Sequence, residues 1–102
     1  MGFGIELQDE WGGPVESAID PKNLLDRLLP VTADQSYPAL GSIDPYGNTL
    51  FNVIQIRLFL LEWKDVVAKV QTPEERDLVA KIESMACRVR DEVHLYLKFI
   101  GD

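Results

Sequence analysis

Hydrophobic and polar residues alternate near the start of the chain. Phe3, Ile5 and Leu7 are separated by small or polar residues, and the same period of two returns between Val15 and Ile19. This period is typical of a β-strand with one buried face. Two glycines and a proline between the two segments indicate a turn. The pattern therefore predicts an N-terminal β-hairpin.

A short helix and a second turn are predicted next. Asp20 is a suitable N-cap acid, the leucines that follow it have helical spacing, and Pro30 ends the helix. Residues 40–43 and 49–51 are short apolar segments on either side of Asp44-Pro45-Tyr46-Gly47-Asn48, which has the composition of a turn. We therefore predict a second, smaller hairpin at this turn.

Two longer helices are predicted after this turn. The first runs from Val53 to about Val70 and opens with Asn52 and Gln55, which match a capping box. The second follows Thr72-Pro73-Glu74-Glu75, a stronger start signal, and ends near Asp91. Because the loop between them is short, we expect the two helices to pack as an antiparallel hairpin.

The apolar positions return to a period of two at the end of the chain, where Val93, Leu95, Leu97 and Phe99 alternate with polar residues. This favours a C-terminal strand, and a helix that continues to Phe99 is the alternative. A strand beside the N-terminal hairpin would hold both chain ends. The sequence thus predicts an α+β fold in one domain, residues 1–102. In it, a small antiparallel sheet of the N-terminal hairpin and the C-terminal strand packs against a two-helix hairpin and one short helix.

Composition and charge narrow the class of protein. The 102 residues are 46% hydrophobic and 26% charged, which is typical of globular domains. The net charge is −7, and residues 1–50 carry eight acids and two bases, a net of −6. An acidic surface argues against direct nucleic-acid binding and favours a protein partner with a basic surface. The alternative is that the acidic residues only keep the domain in solution.

Three features predict a cytoplasmic protein that does not enter a membrane. The apolar segment nearest to membrane-spanning length, residues 53–70, is interrupted by charged residues. The first residues lack the basic and apolar regions of a secretion signal. Cys87 is the only cysteine, so the chain cannot form an internal disulfide.

The sequence contains no motif typical of a catalytic, cofactor or metal site. We therefore predict no catalytic residue, no cofactor and no metal ligand. His94, the only histidine, is expected to be a half-buried packing residue on the C-terminal strand. Cys87 is expected to be a buried thiol on the core-facing side of its helix. A small enzyme that uses His94 and carboxylates stays as an alternative.

Two turns carry an aromatic residue among acids. Trp11 follows Asp9 and Glu10 in the N-terminal turn, and Tyr46 follows Asp44 in the second turn. An aromatic residue in a turn either folds back over the core or anchors a partner. We expect folding back for each one alone, and a partner site if both are exposed on one side. The predicted partner-binding residues are therefore Asp9, Glu10, Trp11, Asp44 and Tyr46.

Several segments resemble those of short, uncharacterised bacterial proteins that end on the same tail. Among these segments are the Ile-Asp-Pro-Tyr-Gly turn that begins at Ile43 and the tail from Tyr96 to Asp102. The resemblance implies a bacterial, cytoplasmic protein, and it implies no activity.

The sequence thus favours a non-enzymatic protein-binding module with an acidic N-terminal surface. One form of this function is an immunity-type inhibitor of a basic partner, because a small acidic domain can cover the basic active site of a toxin. The alternative function is that of a homo-oligomeric structural or assembly protein. Such a homodimer would be joined through the apolar surface of the helix predicted at residues 53–70.

Overall fold

Four β-strands and three α-helices form the computed structural model, which describes residues 2–101. The predicted α+β fold is confirmed. In chain order the elements are β1 (Gly4–Gln8), β2 (Pro14–Ile19), α1 (Leu25–Leu28), the 3-10 turn η1 (Leu40–Ser42), β3 (Asn48–Phe51), α2 (Gln55–Ala68), α3 (Pro73–Asp91) and β4 (Tyr96–Ile100).

The four strands form one antiparallel sheet in the order β2-β1-β4-β3. β1 and β2 are the predicted N-terminal hairpin, and β4 is the predicted C-terminal strand beside it. β4 lies between β1 and β3, so that Gly4 and Asn48 both face Ile100 at one end of the sheet. Gln8 faces Tyr96 at the opposite end. This register decides which loops can lie close together.

The C-terminal strand is shorter than its sequence pattern. β4 begins only at Tyr96, because the chain turns at residues 92–94 and His94 adopts a φ of 62°. Val93 is 80% exposed and lies outside the strand. The alternation that begins at Val93 therefore corresponds to a strand only from Tyr96 onward.

The helices cover one face of the sheet. Residues that share this face alternate along each strand, as the period of two requires, and they join the helices in one hydrophobic cluster. Phe59 and Trp63 of α2 stack with ring centroids 5.0 Å apart, and Trp63 Nε1–H donates to Val79 O of α3 at 3.3 Å. α2 and α3 thus pack against each other. The fully buried sheet residues on this face are Ile5, Leu7, Leu97 and Phe99.

Both predicted capping boxes are present. Asn52 Oδ1 accepts the N–H of Gln55 at 2.9 Å, and Gln55 Oε1 accepts the N–H of Asn52 at 2.9 Å. A bond from the N–H of Ile56 to Asn52 O adds a helical turn just before the regular part of α2. Thr72 and Glu75 make the same reciprocal bonds at the start of α3. Each box binds N–H groups that have no partner within the helix.

The first helix is shorter than predicted. The regular helix extends only from Leu25 to Leu28, and the chain turns before it. Asp20 still caps this segment, because its two carboxylate oxygens accept the N–H groups of Leu24 and Leu25 at 2.8 and 2.9 Å. Asp20 is 1% exposed, so its cap lies against the core.

The predicted second hairpin is wrong. Residues 40–42 form η1 instead of a strand, and β3 pairs with β4. Backbone N–H and C=O groups of η1 and its neighbours bond to one another within residues 33–43. The carboxylate of Glu62 on α2 also accepts the N–H groups of Ala39 and Leu40. Because this segment is bonded locally and to α2, it does not need a strand partner.

Candidate functional site

The five predicted partner-binding residues fall into two groups at opposite ends of the sheet. Asp9, Glu10 and Trp11 follow the end of β1 that pairs with the start of β4. Asp44 and Tyr46 precede the end of β3 that pairs with the last residue of β4. The strand between them spans roughly 13 Å, at about 3.3 Å per residue. The five residues therefore form two separate groups, and that they bind one partner stays a prediction.

The N-terminal group lies on a hairpin tip that Asp9 holds in shape. Asp9 Oδ1 accepts the N–H of Trp11 at 2.9 Å and the N–H of Gly13 at 2.8 Å. Gly12 adopts a φ of 82°, which glycine tolerates without strain. Trp11 is 87% exposed. The expectation that Trp11 folds back over the core is therefore wrong.

His94 lies beside this hairpin tip. Its Nδ1 is 3.3 Å from Oε2 of Glu10, and its side chain is 67% exposed, so the expected half-buried packing role is wrong. His94 also lines a depression of about 240 Å³ with residues 52–54 and 95–96, and none of these lining residues is a carboxylic acid. The carboxylate nearest to His94 therefore lies outside the depression, on the open surface, where ion pairs are weak.

The second group lies on a turn that is held from two sides. Asp44 Oδ1 accepts the N–H of Tyr46 at 2.8 Å. The N–H of Gly101 donates to Gly47 O at 2.6 Å, and a Cβ at position 101 would lie 2.6 Å from Pro45 O. Gly101 thus packs closely against the turn. Tyr46 is 84% exposed, so it also does not fold back over the core.

A cleft of about 330 Å³ opens beside this turn, and we call it the Tyr46 cleft. It lies between α1, the segment that follows α1, η1 and the turn itself. Asp26 is the only acidic or basic residue among the described residues that line it, and Tyr46 is one of its walls. The main apolar side chains of the lining are Phe3, Leu25, Leu29, Leu40 and Ile43.

Asp26 differs from the other acids of the first half of the chain. Within residues 2–101 it is the only acid of that half whose carboxylate has no hydrogen-bond or ion-pair partner. Four of the others accept backbone N–H groups in turns, a role that their position just before each turn could have indicated. These four residues are Asp9, Asp20, Asp34 and Asp44.

The neighbouring Arg27 is held away from Asp26 by a different acid. Its Nη2 lies 2.7 Å from Oε1 of Glu75, and its Nε lies 3.1 Å from Oε2 of the same carboxylate. The guanidinium of Arg27, followed by the backbone N–H of Gln71, lowers the pKa of Glu75 below its usual value of 4.5. This pair joins α1 to the start of α3, and within residues 2–101 no basic group lies within ion-pair distance of Asp26.

A larger hollow is less specific. It is an open groove of about 410 Å³ between β2 and α3. Two of its bases already have acidic partners, since Lys22 lies 2.6 Å from Glu74 and Lys81 lies 3.5 Å from Glu16. The Tyr46 cleft is the better candidate site, because Asp26 is the only charged residue among residues 2–101 that lines it, whereas charged residues of both signs line the groove.

Cys87 is half-buried instead of fully buried as expected. Its neighbours Met85, Ala86 and Val89 occupy the inward face of α3, which leaves Cys87 on the side of the helix. Across residues 2–101, no group of three or more histidine, cysteine and acidic residues is placed to hold a metal ion. Over the same range, no helix combines the length and the apolar character needed to span a membrane.

Comparison of the chain with protein-family models, curated proteins and solved structures finds no match. The resemblance to short bacterial proteins therefore stays a prediction. The function is therefore inferred from the geometry of residues 2–101.

Proposed function

We propose that this chain is a non-enzymatic protein-binding domain whose Tyr46 cleft holds a basic side chain of a protein partner. The observation that carries the proposal is the composition of the cleft. An exposed tyrosine and an acid without a partner among residues 2–101 border a hollow whose other lining residues are mostly apolar residue types. Such a combination suits a side chain with an apolar stem and a cationic head, which is to say arginine or lysine.

Each part of the cleft has a role in this proposal. The apolar lining would contact the aliphatic stem, and the carboxylate of Asp26 would bind the cationic head. The ring of Tyr46 would add a cation–π contact. Because Asp44 and Gly101 already hold the turn that carries Tyr46, little conformational freedom is lost on binding.

An immunity-type inhibitor is the form of this function that the charge favours. A domain of 102 residues with a net charge of −7 can cover a basic active site and is drawn to it by long-range attraction. The proposal places the protein in the cytoplasm, because its single cysteine forms no internal disulfide.

The test is capture of partners from an extract of the cells that produce the protein, with the chain immobilised through a tag. Tyr46→Ala and Asp26→Asn are compared with Leu50→Ala and Asp77→Asn, which change exposed residues outside the cleft. We expect a retained basic protein whose Kd rises about 30-fold for Tyr46→Ala, the cost of a binding hot spot of about 2 kcal/mol. Asp26→Asn should weaken binding and reduce its dependence on salt.

Two results would contradict the proposal. One is that no protein is retained at either low or physiological salt. The other is that the two cleft variants retain the partner as tightly as the two control variants do.

A further inference from the structure

An exposed apolar band runs from the hairpin tip along α2, at the end of the sheet opposite the Tyr46 turn. The hairpin tip and the start of α2 lie close together, because Glu10 on the hairpin contacts His94, and His94 lines the same depression as Ile54. Ile54, Leu58 and Leu61 then follow one another on the solvent face of α2, at the helical spacing of three and four residues. The apolar band consists of Trp11, Val53, Ile54, Leu58, Leu61 and Val93.

The band is large for the surface of a monomer. The exposed fractions of its six residues range from 42% to 87% and together equal about four fully exposed side chains. At roughly 150–200 Å² for each large side chain, the band presents about 600–800 Å². The largest apolar patch of a typical monomer measures about 300–600 Å², whereas a standard interface buries about 800 Å² on each partner. The area therefore fits a protein interface.

The charges beside the band differ from those of the whole chain. Arg57 and Lys64 lie along one flank of the exposed face of α2, and within residues 2–101 neither has an acidic group within ion-pair distance. Glu62, the one acid on the buried side of α2, has its carboxylate bound to backbone N–H groups. Asp65 is the one acid on the exposed side of α2, and its carboxylate accepts from the hydroxyl of Tyr37 at 2.6 Å. In a chain with a net charge of −7, the flank with Arg57 and Lys64 is therefore the part of this face that offers unpaired bases to an acidic group of a partner.

We propose that the occupant of the band is a second copy of this chain, with the hairpin tip of each copy packed on α2 of the other. In such a symmetric dimer each contact occurs twice. Trp11 would lie on Leu58 and Leu61 of its partner, and Glu10 would lie near the unpaired bases Arg57 and Lys64 of its partner. The arrangement joins the acidic hairpin to the basic flank, so that two acidic chains meet where their charges are complementary.

A simpler dimer with α2 packed directly on α2 would cover less of the band. Trp11 is the most exposed side chain of the band, at 87%, and it lies on the hairpin and not on α2. The proposal does not depend on the Tyr46 cleft, because no residue of the band lines that cleft.

The oligomeric state in solution tests the proposal directly. Sedimentation velocity and light scattering are measured at physiological salt from micromolar to near-millimolar concentrations of the chain. We expect a dimer for the wild type and a dissociation constant at least about tenfold higher for Leu61→Glu. Ile19→Glu, which places the same charge on an exposed apolar residue outside both the band and the Tyr46 cleft, should still form the dimer.

A charge exchange tests which surfaces meet. Glu10→Arg and Arg57→Glu should each weaken the dimer, and the double variant should restore it, because the ion pair is then re-formed with its charges reversed. A wild type that stays monomeric at the highest concentration would overturn the proposal, and so would a Leu61→Glu variant that dimerises as well as the wild type. A dimer that the double variant does not restore would overturn the packing of hairpin on helix. Circular dichroism of each variant shows whether a loss of dimer reflects a loss of folding.

Discussion

Replacement of Glu62 by glutamine is expected to destabilise the protein through a single, well-defined contact. Glu62 lies on α2 and is 8% exposed. Its Oε1 accepts the N–H of Leu40 at 2.8 Å, and its Oε2 accepts the N–H of Ala39 at 3.0 Å. The carboxylate thus caps η1 from a helix that is distant in sequence, and it holds one wall of the Tyr46 cleft, because Leu40 lines that cleft.

The magnitude follows from the number of acceptors. The glutamine side chain has only one oxygen, so one backbone N–H keeps a partner and the other faces the NH₂ group. A buried N–H without an acceptor costs about 1–3 kcal/mol, and the loss of the negative charge weakens the remaining bond by about 1 kcal/mol. We therefore expect the free energy of unfolding to fall by roughly 2–4 kcal/mol, from a total of about 5–15 kcal/mol for a domain of this size.

Denaturant unfolding measures the total loss, and hydrogen exchange locates it. The amides of Ala39 and Leu40 should exchange faster in Glu62→Gln, while amides in the middle of α3 keep their relative order of protection. Glu83→Gln is the matched control, because Glu83 lies on α3 and its side chain makes no hydrogen bond or ion pair within residues 2–101. This control should change the free energy of unfolding by less than about 0.5 kcal/mol. If Glu62→Gln unfolds at the same denaturant concentration as Glu83→Gln, the carboxylate of Glu62 does not stabilise the fold by the expected amount.

Two further predictions concern the start of α3. Thr72→Ala removes the acceptor for the N–H of Glu75 and should cost about 1 kcal/mol in denaturant unfolding, whereas Thr72→Ser should keep most of the stability. Arg27 lowers the pKa of Glu75 in the folded protein, so the unfolded chain binds the proton first as pH falls. The stability that this pair contributes is therefore complete above pH 4.5, and it is lost as pH falls through the pKa of Glu75 in the folded protein. Thermal melts in acid should therefore show a smaller pH dependence for Glu75→Gln than for the wild type, and equal slopes would contradict the assignment.

The elements that sequence predicts well are those decided by local signals. Both capping boxes formed because the residues that make them are three positions apart, at Asn52 and Gln55 and at Thr72 and Glu75. The N-terminal hairpin and the C-terminal strand likewise follow from a period of two. These patterns can be recognised without knowing which segments, distant in sequence, pack against each other.

The errors arise where a distant residue decides the structure. Residues 40–43 have the apolar character of a strand, yet the carboxylate of Glu62, more than twenty positions away, fixes their backbone in a 3-10 turn. The predicted hairpin failed for this reason. β3 then found its partner in β4, near the end of the chain, a pairing that a local pattern does not specify.

The same reason explains the division of the predicted binding residues. Trp11 and Tyr46 occupy similar turns in the sequence, and nothing local distinguishes the ends of the sheet to which they belong. Only the strand order and register place them at opposite ends. The expectation that each ring folds back over the core was also wrong, because the exposure of a ring depends on whether a nearby apolar edge is already covered.

The excess of acid in the first half of the chain has a local cause and a long-range consequence. Four of its eight acids bind backbone N–H groups in turns, so their presence is explained without a partner. A carboxylate that accepts N–H groups keeps its charge, however, and all eight still contribute to the field that a basic protein meets. Net charge can therefore account for faster association but not for a binding site. The site must come from an acid that the fold itself does not use, and within residues 2–101 Asp26 is the one acid of this half that meets that condition.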